Sequence, residues 1–149
     1  MSYLLIGFTG LPVAAFLMTP LIPRNHEKTL SGLLLTTLGL NLILALVFCG
    51  WWAFSGAPIL TEKLITLYQT QGFEFFISLY FDLNSAVFLL VGAILMLLIS
   101  IFSKYYMHRD PGYRRFFSTM LLFYSGYNLI VTAGNFETLF IGWEIIGIT

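Results

Sequence analysis

Four runs of about twenty residues, each free of formal charge in its interior, constrain this chain more than any other feature. A helix needs about 20 apolar residues to cross roughly 30 Å of hydrocarbon. Residues 3–22, 30–54, 84–102 and 115–133 each satisfy that length, and a fifth run begins near Asn135 and continues to Thr149. Charged residues make up only 9% of the chain while 58% is hydrophobic, a balance far from that of soluble domains. A soluble unit of 149 residues could not hide so much apolar surface. The expected architecture is therefore all-α: one polytopic transmembrane bundle over 1–149, with four full spans and an incomplete fifth. A signal peptide is the competing reading of 3–22, but no basic segment precedes it. Pro12 is expected to kink the first helix, which membrane helices tolerate when neighbours satisfy the freed carbonyl.

The basic residues set the expected orientation. Arg24 and Lys28 lie between the first two spans, and Lys104, Arg109, Arg114 and Arg115 between the third and fourth. Lys63 alone lies in the 55–82 connection. The positive-inside rule then places loops 23–29 and 103–114 in the cytoplasm, with the N-terminus and the 55–82 connection outside. Trp51 and Trp52 are placed to anchor the second helix in the interface. Within the outer connection, "FEFFISLYF" (73–81) alternates as an extended strand or hairpin element would, with Phe73, Phe75, Ile77, Leu79 and Phe81 on one face. The preceding "TEKLITLYQ" reads as a short interfacial helix.

Glu144 is the one ionisable side chain well inside an apolar run. If the fifth helix starts near Asn135, Glu144 sits nine residues in, about 13 Å deep at 1.5 Å per residue. A charge at that depth costs at least ~2.5–3.5 kcal/mol on insertion scales. A carboxylic acid whose proton affinity a neighbour can reset is what a membrane proton relay requires; a protonated acid bonded to a neighbouring helix is the structural alternative. Glu137 falls on the same helical face, either extending a proton path outward or serving as a solvated helix-start acid that suits the dipole. Ser118, Ser125, Asn128 and Thr132 form a stripe on the fourth helix, with Asn41 similarly placed on the second. Such a stripe packs helices together or lines a hydrated path, packing being commoner. Gly7, Gly10, Gly32, Gly39, Gly142 and Gly147 are read as sites of close helix approach.

Several function classes drop out. The formal net charge is zero, which gives no footprint for nucleic acid. Cys49 is the only cysteine and reads as a small buried side chain. His26 and His108 sit in the basic loops without partners at metal-ligand spacing. No nucleotide fingerprint, nucleophile elbow or redox ligand set is present, so no cofactor and no redox or hydrolytic site is expected. The basic loop most simply holds its side of the membrane through anionic headgroups, with a coupling role for His108 as the alternative, and "DPG" at 110–112 is a turn.

Two stretches together carry a family resemblance. "YYMHRDPGYRRFF" (105–117) resembles the loop between the third and fourth helices of the antiporter-like subunits of respiratory complex I, especially chain L (subunit 5). "AGNFETLFIGWEIIGIT" (133–149) is similar to that family's fifth helix with its Gly-Trp-Glu, and "YFDLNSA" (80–86) also fits. The resemblance implies a proton-translocating subunit of an NADH-quinone oxidoreductase assembly in a membrane, with a bacterial inner membrane expected. Its partners would be lipid, other membrane subunits, protons and, as a further option, Na⁺. It also implies that Glu144 is the buried glutamate of a half-channel, paired with a lysine on a later helix that Lys28, Lys63 and Lys104 cannot supply. Glu137 and Arg109 depart from the usual pattern, where an apolar residue and a small residue are common. Relatives therefore stay open: sodium/proton antiporters, energy-converting hydrogenases, proton-coupled inorganic-carbon uptake systems, or a purely structural membrane subunit. Because 135–149 makes only about 22 Å of helix, an N-terminal fragment is expected.

Overall fold

The computed structural model describes residues 2–23 and 26–149; Arg24, used above for orientation, lies outside the described residues. Each apolar run forms a helix: α1 (Ser2–Met18, continued by a 3₁₀ turn at Thr19–Leu21), α2 (Glu27–Phe54), α3 (Leu83–Tyr106), α4 (Tyr113–Val131) and α5 (Phe136–Ile148). By length and apolar content α2 and α3, with 28 and 24 residues, are sufficient to cross a membrane. Helices α1 and α5, with 17 and 13 residues, are shorter than that measure. Lys28 and Lys104 sit in terminal helical turns rather than in loops.

The fold is not all-α. Residues 60–70 form strand β1 (Leu60–Thr70) and pair antiparallel with β2 (Phe73–Phe81). The expected interfacial helix at "TEKLITLYQ" is thus a strand, whereas the 73–81 strand lies where the alternation placed it. Thr61, Ile65, Thr66 and Tyr68 suit a pleated surface, and Gly72 supplies the turn with φ +95, open to glycine at little cost. Register shifts between Lys63 and Ile65 and between Thr66 and Tyr68 let β1 twist along its partner.

A two-stranded hairpin is marginal alone, and this one is fastened to the bundle. Tyr80 N–H donates to the Thr132 carbonyl (2.8 Å) and Gly134 N–H to the Ser78 carbonyl (2.9 Å), so the 132–134 segment acts as a third rung. Leu79 and Phe81 are fully buried beneath, with Phe48 and Trp52 edge-on to the Phe81 ring. The two tryptophans therefore differ. Trp51 is half exposed, as an interface anchor would be, while Trp52 is a core residue whose indole N–H donates to the Pro58 carbonyl (2.8 Å).

The apolar core has two parts. One, at the hairpin end, gathers Leu5, Phe8, Phe48, Trp52, Phe81 and Leu89. The other, at the basic end, gathers Leu34, Leu38, Met96, Phe117, Leu121 and Tyr124. Cys49 is buried in the first. Glycines serve close approach at fewer places than expected. A Cβ on Gly7, Gly10, Gly32, Gly39 or Gly147 would meet nothing within 4 Å, while one on Gly142 would meet the Gly126 carbonyl at 3.0 Å. Gly92, where the Tyr127 ring lies, and Gly126 are the further close-approach sites on the helices.

Candidate functional site

Polar groups inside the bundle concentrate at a single carbonyl. Pro12 has no N–H, so the Phe8 carbonyl, four residues earlier, has no helical donor. Asn41 Nδ2 on α2 (3.1 Å) and Asn128 Nδ2 on α4 (2.8 Å) both donate to it. Tyr124 Oη donates to Asn41 Oδ1 (2.8 Å), and Asn41, Tyr124 and Asn128 are all fully buried. A proline thus creates an unpaired acceptor in α1, and two amides from different helices satisfy it. Asn128 Oδ1 is the one buried side-chain polar atom without a partner among the described residues.

The rest of the α4 stripe is self-contained. Ser125 Oγ donates to the Leu121 carbonyl (2.8 Å) and Thr132 Oγ1 to the Asn128 carbonyl (2.7 Å), each within its own helix. Both are fully buried, and Ser118 lies near the basic end. These bonds favour packing for this part of the stripe. Sequence reasoning singled out Asn41 and Asn128 but missed Phe8 and Tyr124. The signal for Phe8 was the proline four residues on.

Helix α5 carries the two acids. Its cap is Asn135, whose Oδ1 accepts from Thr138 N–H (3.1 Å) and whose Nδ2 donates to the Phe76 carbonyl (2.7 Å). Thr138 Oγ1 in turn accepts from Ser78 N–H (3.0 Å), so the start of α5 is joined to β2. The inner face of α5 presents Thr138 and Gly142, the latter crossing α4 at Gly126. On the opposite face Phe136, Leu139, Phe140, Trp143 and Ile148 are all exposed at helical spacing. Glu144 is exposed on the edge of that apolar face, and Glu137, partly buried, lies two turns before it on the same side. Neither acid is joined by a hydrogen bond or ion pair to Ser125, Asn128 or Thr132 among the described residues.

At the basic end, His108 Nδ1 lies 2.9 Å from Glu27 Oε2, and the Arg109 N–H reaches the same oxygen at 3.5 Å. This pairing ties the α3–α4 turn to the start of α2. Arg114 Nη2 donates to the Thr19 carbonyl (3.2 Å), which ties α4 to the end of α1. At the hairpin end Lys63 pairs with Glu74 and lies over the Phe76 ring, 4.6 Å from its centre. That ammonium, chiefly through its hydrogen bond and then its charge, holds the Glu74 carboxyl below the usual carboxylate range.

Apolar helices, two of them long enough to cross a membrane, fastened at one end by a β-hairpin and carrying a carboxylate on an exposed apolar face, have the build of a membrane protein. The family described as NADH-ubiquinone oxidoreductase (complex I), chain 5 N-terminus, matches residues 67–117. Subunit L of NADH-quinone oxidoreductase from Rickettsia bellii is 32% identical over 139 residues, covering 93% of this chain and 22% of the relative. Chain 5 of NADH-ubiquinone oxidoreductase from Felis catus is 31% identical over 147 residues, covering 95% of this chain and 24% of the relative. A chain from the archaeal membrane-bound sulfane sulfur reductase, a respiratory membrane complex, shares the fold with a TM-score of 0.77 at 20% identity, covering 99% of this chain and 29% of that one. The chain belongs to the antiporter-like, chain L/chain 5 family of respiratory complex I, and spans less than a quarter of the length of these two sequence relatives.

Proposed function

We propose that the chain is the N-terminal part of a proton-translocating membrane subunit in a complex I-like assembly, with Glu144 as a proton-binding group. The observation that carries this reading is Glu144 itself, an acid eight residues into an apolar helix on a face the chain leaves uncovered. Exposed there, it cannot be a helix-packing acid within this chain. Facing lipid it would cost several kcal/mol, so the reading requires a further helix on that face whose cation or donor sets its proton affinity. Protons are the proposed cargo, with Na⁺ as a second ion of the same chemistry. The basic end is proposed to face the cytoplasm and the hairpin the outside.

The deciding experiment replaces Glu144 with Gln in the gene-encoded protein within its membrane complex. Coupled proton movement should fall to background while the amount of assembled complex stays at the wild-type level. Wild-type pumping by the variant would reject the role, and reduced assembly with normal turnover per complex would identify a structural acid instead.

A further inference from the structure

The basic end holds a cleft that the proposed proton chemistry does not use. Arg109, Arg114 and Arg115 line a half-open cavity of about 770 Å³ together with Glu27, Tyr113 and Ser118. Both acids on its wall are already engaged: Glu27 with His108 and the Arg109 N–H, and Asp110 with the Gly112 N–H at 2.6 Å. None of the three guanidinium groups has a carboxylate within ion-pair distance among the described residues. Arg114 is held in place by the Thr19 carbonyl through one nitrogen, which leaves its other N–H donors free. The first turn of α4 also opens on this cleft, with Gly112 at its cap offering no side-chain acceptor. Lys28 and Lys104 line adjoining cavities, so among the described residues five fixed cations face two carboxylates at this end.

We infer that this cleft binds the phosphodiester headgroup of an anionic membrane lipid. Planar guanidinium groups bond phosphate oxygens in pairs, and unbonded N–H groups at a helix start add to the same field. The occupant is a lipid because of where the cleft sits. Beside it, at the end of α3, Phe102, Tyr105 and Tyr106 are all exposed, with the Phe102 and Tyr106 rings stacked at 5.9 Å. Aromatic side chains at a helix end mark headgroup depth in a membrane protein. Further along the same helix Leu98 and Ile99 are exposed to what would be acyl chains.

Native mass spectrometry of the purified gene-encoded protein in neutral detergent tests this, with dioleoyl phosphatidylglycerol, dioleoyl phosphatidylcholine and inorganic phosphate as probes. Phosphatidylglycerol should bind saturably and phosphatidylcholine only weakly. The double variant Arg109→Gln, Arg115→Gln should bind phosphatidylglycerol about thirtyfold more weakly, as expected for two basic groups lost near an anionic surface. Both side chains are exposed and free of structural hydrogen bonds, so the variant should keep its helicity. Inorganic phosphate that displaces the lipid at equal concentration would point to a free anion and overturn the assignment. Equal retention of both lipids, or an unchanged double variant, would also overturn it. None of these readouts depends on Glu144, so failure here and failure of the proton role are separable.

Discussion

The knot beneath Pro12 and the outer edge of α5 both place polar groups on apolar helices, and they treat them in opposite ways. At the knot, a backbone acceptor and the side chains of Asn41, Tyr124 and Asn128 bond to one another from three helices, and Asn128 Oδ1 alone is left without a partner among the described residues. On α5, Glu144 has no hydrogen bond or ion pair among the described residues and stands beside exposed Trp143. A group that the chain itself satisfies belongs to its architecture. One that it leaves unsatisfied on an apolar face asks for a partner from elsewhere wherever that face meets hydrocarbon, because an unmatched polar group there costs too much to persist. The difference separates a structural polar cluster from a candidate functional one without reference to residue type.

The largest effect should come from stripping the knot. Asn41→Leu combined with Asn128→Leu leaves the Phe8 carbonyl bare in an apolar interior, which costs several kcal/mol. The protein should then lose its cooperative thermal unfolding transition in detergent. Adding Pro12→Ala should restore much of the midpoint, since residue 12 then has an N–H for that carbonyl. A double variant as stable as wild type would mean that the carbonyl is satisfied another way. Tyr124→Phe removes only the donor to Asn41 Oδ1 and should cost less, about 1–3 kcal/mol for one buried acceptor left unpaired.

Next in size is the α4–α5 crossing, which holds the two regions together. A Cβ on Gly142 would lie 2.9 Å from Ile130 Cγ1 and 3.0 Å from the Gly126 carbonyl. Gly142→Ala should therefore destabilise by about 1–3 kcal/mol, as overpacking does. Gly39→Ala meets nothing within 4 Å on α2 and should be neutral or stabilising by about 0.5–1 kcal/mol through helix propensity. Equal melting shifts for the two variants would remove the argument for a backbone-close crossing.

How far these regions could be read in advance follows from the kind of signal each one leaves. Helix positions were legible because twenty uncharged residues leave no other inexpensive structure. The β2 alternation was legible for the same local reason. Strand β1 was not: "TEKLITLYQ" satisfies a helix on its own, and only the partner strand and the Gly72 turn decide otherwise. Close glycine contacts were misjudged because spacing along one helix says nothing about which face meets another. Glu144 was conspicuous as a lone charge. Its exposure on the outer edge of α5 depends on which face Gly142 turns inward, a tertiary fact.

Against those changes, the stability of Glu144→Gln should stay within about 0.5 kcal/mol of wild type in the isolated chain, as for an exposed residue without partners. The same substitution is expected to abolish proton movement in the complex. A large loss of stability in the chain alone would place Glu144 in the first category, with Asn41 and Asn128.

The smallest expected effect lies outside the apolar core, at the hairpin. Lys63 hydrogen-bonds the Glu74 carboxylate and lowers its pKa in the folded state. A carboxyl whose folded pKa lies below its unfolded value contributes stability that is fully present above the unfolded pKa and lost as pH falls through the folded one. The hairpin should therefore keep the full benefit at neutral pH and lose it only in acid, below the usual carboxylate range. Glu74→Gln removes the titrating group, so the wild-type and variant melting midpoints should differ slightly at pH 7 and converge in acid. Because the pair is solvent-exposed, added salt should shrink the neutral-pH difference as well. A difference that grew on acidification would mean the carboxyl is favoured in its protonated form. The hairpin ion pair would then have to be treated like the knot, as a closed polar contact, rather than as a solvated one.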